Sequence, residues 1–244
     1  MVADALEIQL EGRTIGALTA LGGDRSILTF TDAYAEDPDR PLLSLGLRNA
    51  QGALLTDHAV VQTRVHPFFS NLLPEGGLRD YLARRAGVKA VREYALLQVL
   101  GSDLPGGVTL VPVGERRADK EEPAISDRAG QAGGPLRFSL AGVQLKFSAS
   151  LEARDRLTIP ASGAGGDWIV KLPSPRWDGV AENEFSMMTL ASAVGLDAPE
   201  VRLTGLDAIE GLPADVGRGA GQAFAVRRFD READGRRVHI EDFA

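Results

Sequence analysis

The chain has 244 residues, 44% of them hydrophobic and 25% charged, the make-up of a globular protein able to bury a core as one large domain or two small ones. It has no cysteine and a net charge of −7, which excludes disulfides, iron–sulfur clusters, thiolate zinc sites and cysteine nucleophiles. Charge is not segregated, with 10 basic against 13 acidic residues over 1–113 and 17 against 21 over 114–244, so the basic face that autonomous nucleic-acid binding needs is missing.

The N-terminus lacks the basic-then-apolar order of a signal peptide, and no apolar run is long enough to span a bilayer. A cytoplasmic location and no membrane partner are therefore expected.

Residues 6–30 alternate apolar and polar side chains, punctuated by Gly12-Arg13 and Gly22-Gly23. That pattern predicts a meander of short antiparallel strands. Residues 42–47 predict one more strand. The period changes over 66–100: an apolar segment ends at Pro74, a helix carrying Leu78, Leu82 and Arg85 stops at Gly87, and a second helix runs over 93–100. The spacing turns Tyr94, Leu97, Val99 and Leu100 of that second helix inward, with Gly101 as its C-cap. Residues 108–113 return to a strand.

Residues 114–135 are charged, Gly- and Pro-rich, with Ile125 as the one large apolar group. Such a stretch buries too little to order itself, so a linker or disordered loop is expected there. It divides a self-contained unit, 1–113, from a second, 136–244.

In the second unit, 136–151 read as strand, loop and strand, and 168–172 as a short buried strand ended by Pro173. Residues 182–194 read as a helix with Phe185, Met188, Ala191 and Val194 on one stripe. Strands follow at 201–206 and 223–227, and Asp234-Gly235 is a hairpin turn into 238–240.

Three segments carry chemistry. Lys171 sits mid-strand between apolar neighbours, and a buried ammonium is costly unless paired. Kinases put such a lysine where it meets ATP phosphates and a helix carboxylate. The helix offers Glu182 and Glu184, and Glu184 shares the inward face. The alternative is an edge-strand lysine with its ammonium in water. Residues 139–146 hold one glycine and fail the G-x-G-x-x-G pattern, yet a serine, the small pair Ala141-Gly142 and free amides suit a phosphate. The alternative there is a hairpin bend. Residues 223–227, with Phe229 beside them, fit a strand bordering adenine, or else an edge strand with a solvated arginine pair. His58, His66 and His239 lie far apart in sequence, and no hydrolase or zincin motif occurs.

Taken together, Phe68-Phe69-Ser70-Asn71-Leu72-Leu73-Pro74-Glu75-Gly76, Ser139-Leu140-Ala141-Gly142-Val143-Gln144-Leu145-Lys146, Ile169-Val170-Lys171-Leu172-Pro173, Glu182-Asn183-Glu184 and Val226-Arg227-Arg228-Phe229-Asp230-Arg231 resemble the HipA-type toxin kinases of bacterial type II toxin–antitoxin systems. The resemblance implies an α+β fold: a β-rich N-terminal subdomain with two helices, then a protein-kinase-like N-lobe with an antiparallel sheet and one αC-type helix. It implies ATP with Mg²⁺ as cofactors. Ala141, Gly142, Val143, Gln144, Leu145 and Lys146 would touch the phosphates and Lys171 would pair with them, partnered by Glu184. Arg227, Arg228 and Phe229 would line adenine. Ser139 would be the autophosphorylated serine whose modification ejects its loop and shuts the kinase off. Family members phosphorylate an aminoacyl-tRNA synthetase, arrest translation and cause persistence. A small HipB-type DNA-binding antitoxin holds them, so DNA is met only indirectly.

Phosphoryl transfer also needs an Asp to orient the nucleophile and Asn and Asp ligands for Mg²⁺. Asn183 is the last asparagine in this sequence. The C-lobe, its catalytic residues and its metal ligands are therefore expected to be absent, leaving an N-terminal half that binds nucleotide weakly and is inactive alone. A separate C-lobe or kinase core is then an expected partner. The competing expectation is a non-catalytic module that sequesters an antitoxin or a kinase core.

Overall fold

The structure, a computed structural model, describes residues 4–114, 136–140, 144–152, 156–160, 165–174, 176–214, 216, 221–232 and 234–241. Of the expected linker, 114–135, all but Gly114 lies outside the described residues, as do Ala141, Gly142 and Val143 of the expected phosphate loop.

The meander is present. Strands β1 (Ala5–Leu10), β2 (Arg13–Gly22) and β3 (Arg25–Phe30) pair antiparallel in sequence order. Leu6, Ile8 and Leu10 alternate inward with full burial, as a half-covered sheet requires. The chain then makes the short helix α1 (Asp32–Ala35) and a 3₁₀ turn over Leu45–Leu47. That turn replaces the strand expected at 42–47. Ser44 accepts a hydrogen bond from Gly46 N–H and caps the turn locally, where a strand would need a partner. Strand β4 (Val61–Gln62) closes one edge and β5 (Val108–Val113) the other, giving the order β4-β3-β2-β1-β5.

Between those edges lie α2 (Pro67–Asn71), α3 (Gly76–Ala86) and α4 (Glu93–Leu100). The first unit thus has four helices where two were expected, the additions being the short α1 and α2. Pro67 at the first helical position and the His66 ring accepting from Phe68 N–H start α2. On α4 the fully buried side chains are Leu96, Leu97 and Leu100, while Tyr94 and Val99 are only partly covered. Glu93 is buried as well. It is paired with Arg79 of α3 at 3.1 Å and accepts from Ser70 Oγ and Val65 N–H, which ties three helices together.

The second sheet contains β6 (Lys146–Glu152), β7 (Arg156–Thr158), β8 (Trp168–Lys171), β9 (Val201–Gly205), β10 (Ile209–Glu210) and β11 (Gln222–Arg227), in the order β10-β7-β6-β8-β11-β9. All its pairings are antiparallel except β10 with β7. Helix α5 (Val180–Ala193) packs against β9 and β11. Gly195 ends it at φ +86°, a conformation that a side chain would oppose. Phe185, Met188 and Ala191 are partly buried, but Val194, expected on the same inward stripe, is 67% exposed. Val194 is the C-cap, past the last helical residue, and no longer follows the helix face.

The two sheets share one continuous apolar core. Tyr81 of α3 meets Phe147 of β6 edge-on at 6.1 Å, and Phe147 meets Phe138 at 5.9 Å. The turn at Asp234-Gly235 forms, bridged by Arg231 and Arg237. Residues 238–240 do not form the strand expected after it. They cross to the first unit, where His239 Nε2 lies 2.8 Å from Leu43 O and Glu241 accepts from Ser44 Oγ and Leu45 N–H.

Candidate nucleotide site

The register of the second sheet sets Lys146 of β6 directly opposite Lys171 of β8, and Lys171 directly opposite Phe224 of β11. Directly paired residues of antiparallel strands share a face. Two ammonium groups and an aromatic ring therefore form one row across three strands.

Lys171 Nζ is 2.5 Å from Glu184 Oε2 and 5.4 Å from the centre of the Phe224 ring. Glu184 lies one turn into α5, on the side turned to the sheet, whereas Glu182 faces solvent. Both members of the Lys171–Glu184 pair keep about a quarter of their side-chain surface open (26% and 27%). The ammonium is thus held by a carboxylate yet reachable from one side.

Lys146 is more deeply set, at 9% exposure. Burial, then the neighbouring charge of Lys171, pushes its amine down to about 8, against a smaller upward pull from Glu184 and Glu75. Two like charges opposed in this way repel, and an anion placed between them relieves both.

The described part of the expected phosphate loop is fastened to β8. Gln144 donates from Nε2 to Leu172 O at 3.0 Å, and Leu172 N–H donates to Leu145 O at 3.0 Å. Upstream, Ser139 is fully buried. Its hydroxyl donates to Leu72 O at 2.5 Å and its N–H to Asp103 O at 2.8 Å. Leu72 belongs to the Phe68-to-Gly76 segment, so the two segments quoted together for the resemblance touch at this hydroxyl.

At the end of β11, Phe229 is 73% exposed and Arg227 is partly buried, its N–H bonded to Glu200 O. Arg228 is turned the other way. It is 3% exposed, with its fork on both oxygens of Asp230 at 2.8 Å. A side chain held so is committed to Asp230, which confines the adenine expectation for Arg228 to its backbone. The reason is that Asp230 and the buried Asp103 need cations there.

That cluster was not anticipated. Asp103 accepts from Arg231 at 2.8 Å and Arg237 at 3.4 Å, with Arg228 3.7 Å away, and Asp230 accepts from Arg231 and from Gly106 N–H. Burial would raise the Asp230 carboxyl, but the Arg228 hydrogen bond and charge, the Gly106 N–H and Arg231 outweigh it and hold it below the usual range. Asp103 sits in Gly101-Ser102-Asp103-Leu104-Pro105-Gly106, and an aspartate in a Gly- and Pro-rich turn is ordinary turn chemistry. No signal in the sequence marked it.

The described residues suit the phosphates of a nucleotide, through the paired ammonium groups and the open side of Lys171. Among them no group of three His, Cys, Asp or Glu side chains is gathered that could hold a metal ion.

Residues 6–111 match the HipA N-terminal domain and residues 138–244 match the HipA-like C-terminal domain. The chain belongs to the HipA-type family. It is 54% identical over 242 residues to Y4dM of Sinorhizobium fredii, named as a candidate kinase, covering 98% of this chain and 58% of that one. It is 30% identical over 269 residues to Y4mE of the same organism, likewise named, covering 100% and 59%. Against the serine/threonine-protein kinase toxin HipA of Shewanella oneidensis it is 26% identical over 239 residues, covering 93% and 50%.

The solved complex of HipA, HipB and operator DNA from Shewanella oneidensis contains a chain of the same fold, with a TM-score of 0.60 and 24% identity over 96% of this chain and 53% of that one. The HipA-type chain described here is accordingly a mixed α+β protein with two sheets and few helices. It spans between half and three-fifths of the length of these curated relatives. Because residues 138–244 match the HipA-like C-terminal domain, the matches do not support reading the chain as the family's N-terminal half alone. Among the described residues no helix is long and apolar enough to cross a membrane.

Proposed function

We propose that this chain is the nucleotide-holding part of a serine/threonine kinase toxin of the HipA type, organised as units 1–113 and 136–244. The observation that carries the reading is the row Lys146–Lys171–Phe224 with Glu184 on Lys171. Lys171 pairs with phosphate oxygens while Glu184 fixes its amine. Lys146 supplies a second positive charge, and the backbone after β11 borders the base with Phe229 beside it. When bound, ATP with Mg²⁺ supplies the transferable phosphoryl group. This chain's described residues bind and orient the nucleotide, and transfer itself needs an aspartate base and metal ligands in addition.

Ser139 is the acceptor in this reading. Its hydroxyl is fully buried on Leu72 O, and a phosphate there would carry nearly two negative charges and three acceptor oxygens into a site with no exposure. Phosphorylation therefore unseats the segment. The neighbour's assembly with HipB and operator DNA supports a HipB-type antitoxin as partner, while an aminoacyl-tRNA synthetase as the target of the whole protein rests on the family resemblance alone. The test is titration of the purified chain with a fluorescent ATP analogue, and incubation with γ-labelled ATP and Mg²⁺. Saturable binding that Lys171→Met abolishes, with no label on Ser139 in the chain alone, is the expected result. No saturable binding sinks the reading.

A second reading is a non-catalytic module that sequesters an antitoxin or kinase core. It is favoured by exposed Met187, Leu190, Val194 and Leu196 along and just beyond α5, a large apolar stripe for a helix face in water. A pull-down against the antitoxin and a kinase core, with Leu190→Asp as control, separates it from the first.

A further inference from the structure

Three segments run into the strands of the proposed nucleotide site: the Ser139 segment before β6, the turn that leads into β8, and the stretch after β11. All three meet at one residue of the first unit. The backbone O of Asp103 accepts Ser139 N–H at 2.8 Å, and Asp103 bridges Phe138 in a parallel pairing. Its Oδ2 accepts Gly165 N–H at 2.8 Å, three residues before β8. Its Oδ1 accepts Arg231 Nη2 at 2.8 Å, just beyond Phe229. The side chain is 1% exposed, so none of these bonds has water as a ready substitute. Gly166 presses the same turn onto β6: a Cβ there would lie 2.5 Å from Ala149 O, at φ +110°.

We infer that Asp103 is a positioning residue that couples the seat of the Ser139 segment to the base-bordering stretch. Among the described residues Arg231 bonds Asp103, Leu104, Gly106 and Asp230 and none of residues 136–140. The shortest hydrogen-bonded route from Arg231 to Ser139 among the described residues passes through Asp103, and a longer one runs through Asp230, Arg228 and Ser148 of β6. A rigid link of this kind makes the two ends of the site move together: the serine segment leaves its seat only with loosening of the base side. The coupling is electrostatic at one end and main-chain at the other, so a change that spares the backbone still transmits. The functional side of the inference rests on the nucleotide reading above, whereas the coupling itself does not.

The experiment is hydrogen exchange by mass spectrometry on the full chain as wild type, Asp103→Asn and Arg231→Lys, with Leu28→Ala in the core of the first sheet as a control of matched loss in melting temperature. The expected result is faster exchange, by about tenfold or more, at both 136–140 and 222–232 in Asp103→Asn. Arg231→Lys is expected to quicken 136–140 as well, although it keeps the charge and touches nothing there. Leu28→Ala leaves both unchanged relative to its melting loss. Faster exchange confined to 228–237 in Arg231→Lys, or equal changes in Leu28→Ala, overturns the inference. Should Asp103→Asn not fold, Arg231→Lys alone decides it. Titration with the fluorescent ATP analogue forms a separate arm: about a five- to tenfold weaker fit is expected in both network variants. Absence of analogue binding by wild type defeats the nucleotide reading and leaves the exchange result to judge the coupling.

Discussion

Lys146 and Lys171 face each other directly across β6 and β8, the one nearly buried and the other held by Glu184. A protein that opposes two of its cations on one face of a sheet gains from an anion between them.

The first prediction concerns pH. The Lys146 amine titrates near 8 in the folded chain, below its ordinary value, because burial and Lys171 disfavour its charge. A phosphate favours the charged form and raises that value, so binding takes up a proton above pH 8. Affinity for the ATP analogue is expected to hold from pH 7 to 8 and then to fall, by up to about tenfold per pH unit. Titrations at pH 7, 8 and 9 check this, and Lys146→Met is expected to weaken binding and flatten the profile.

Glu184 and Glu182 provide a matched comparison, since only Glu184 meets Lys171. The pair is part-exposed, so Glu184→Gln is expected to cost about 1 kcal/mol or less of stability. Its effect on binding is larger in consequence, because a freed Lys171 loses its aim. Glu182→Gln is expected to do neither. Urea unfolding and analogue titration of the two variants decide it.

Ser139 is sensitive to charge and tolerant of deletion. Ser139→Ala removes one hydrogen bond to Leu72 O, a loss of about 1 kcal/mol. Ser139→Asp puts an unpaired carboxylate into a fully buried position and costs about 3 kcal/mol or more unless the segment leaves. Limited proteolysis is expected to cut near 136–146 in the Asp variant and not in the Ala variant. Equal resistance of both would show that the segment does not unseat.

His66 makes the first unit sensitive to acid. Burial, with a smaller effect of His58 stacked edge-on at 5.1 Å, pushes its imidazole down to about 4. An unfolded histidine titrates near 6.5. The neutral ring therefore contributes its full stability above about pH 6.5. That stability is lost as pH falls from there to about 4, because the unfolded chain takes up a proton that the folded one refuses. Melting temperatures at pH 7.5, 6 and 5 are expected to fall more steeply for wild type than for His66→Asn, which keeps a capping side chain and has no titration.

Local chemistry made much of this molecule readable in advance. The alternation of Leu6, Ile8 and Leu10 requires a half-covered strand, Gly87 and Gly195 stop helices because their backbones turn left-handed, and a lysine between Ile169-Val170 and Leu172 needs either a partner or a path to water. The choice of Glu184 over Glu182 followed from helical spacing alone, and the structure has that pairing. What the sequence could not convey is contact between residues far apart along it. Asp103 reads as turn chemistry and Arg228 as half of a solvated pair until folding sets them 3.7 Å apart, where burial makes each the condition of the other. Leu72 and Ser139 are 67 positions apart, and no periodicity foretells a carbonyl and a hydroxyl meeting there. Periodic burial is a property of neighbouring residues and survives as a pattern; the pairing of buried polar groups depends on which surfaces are brought together, and only the packed chain decides that.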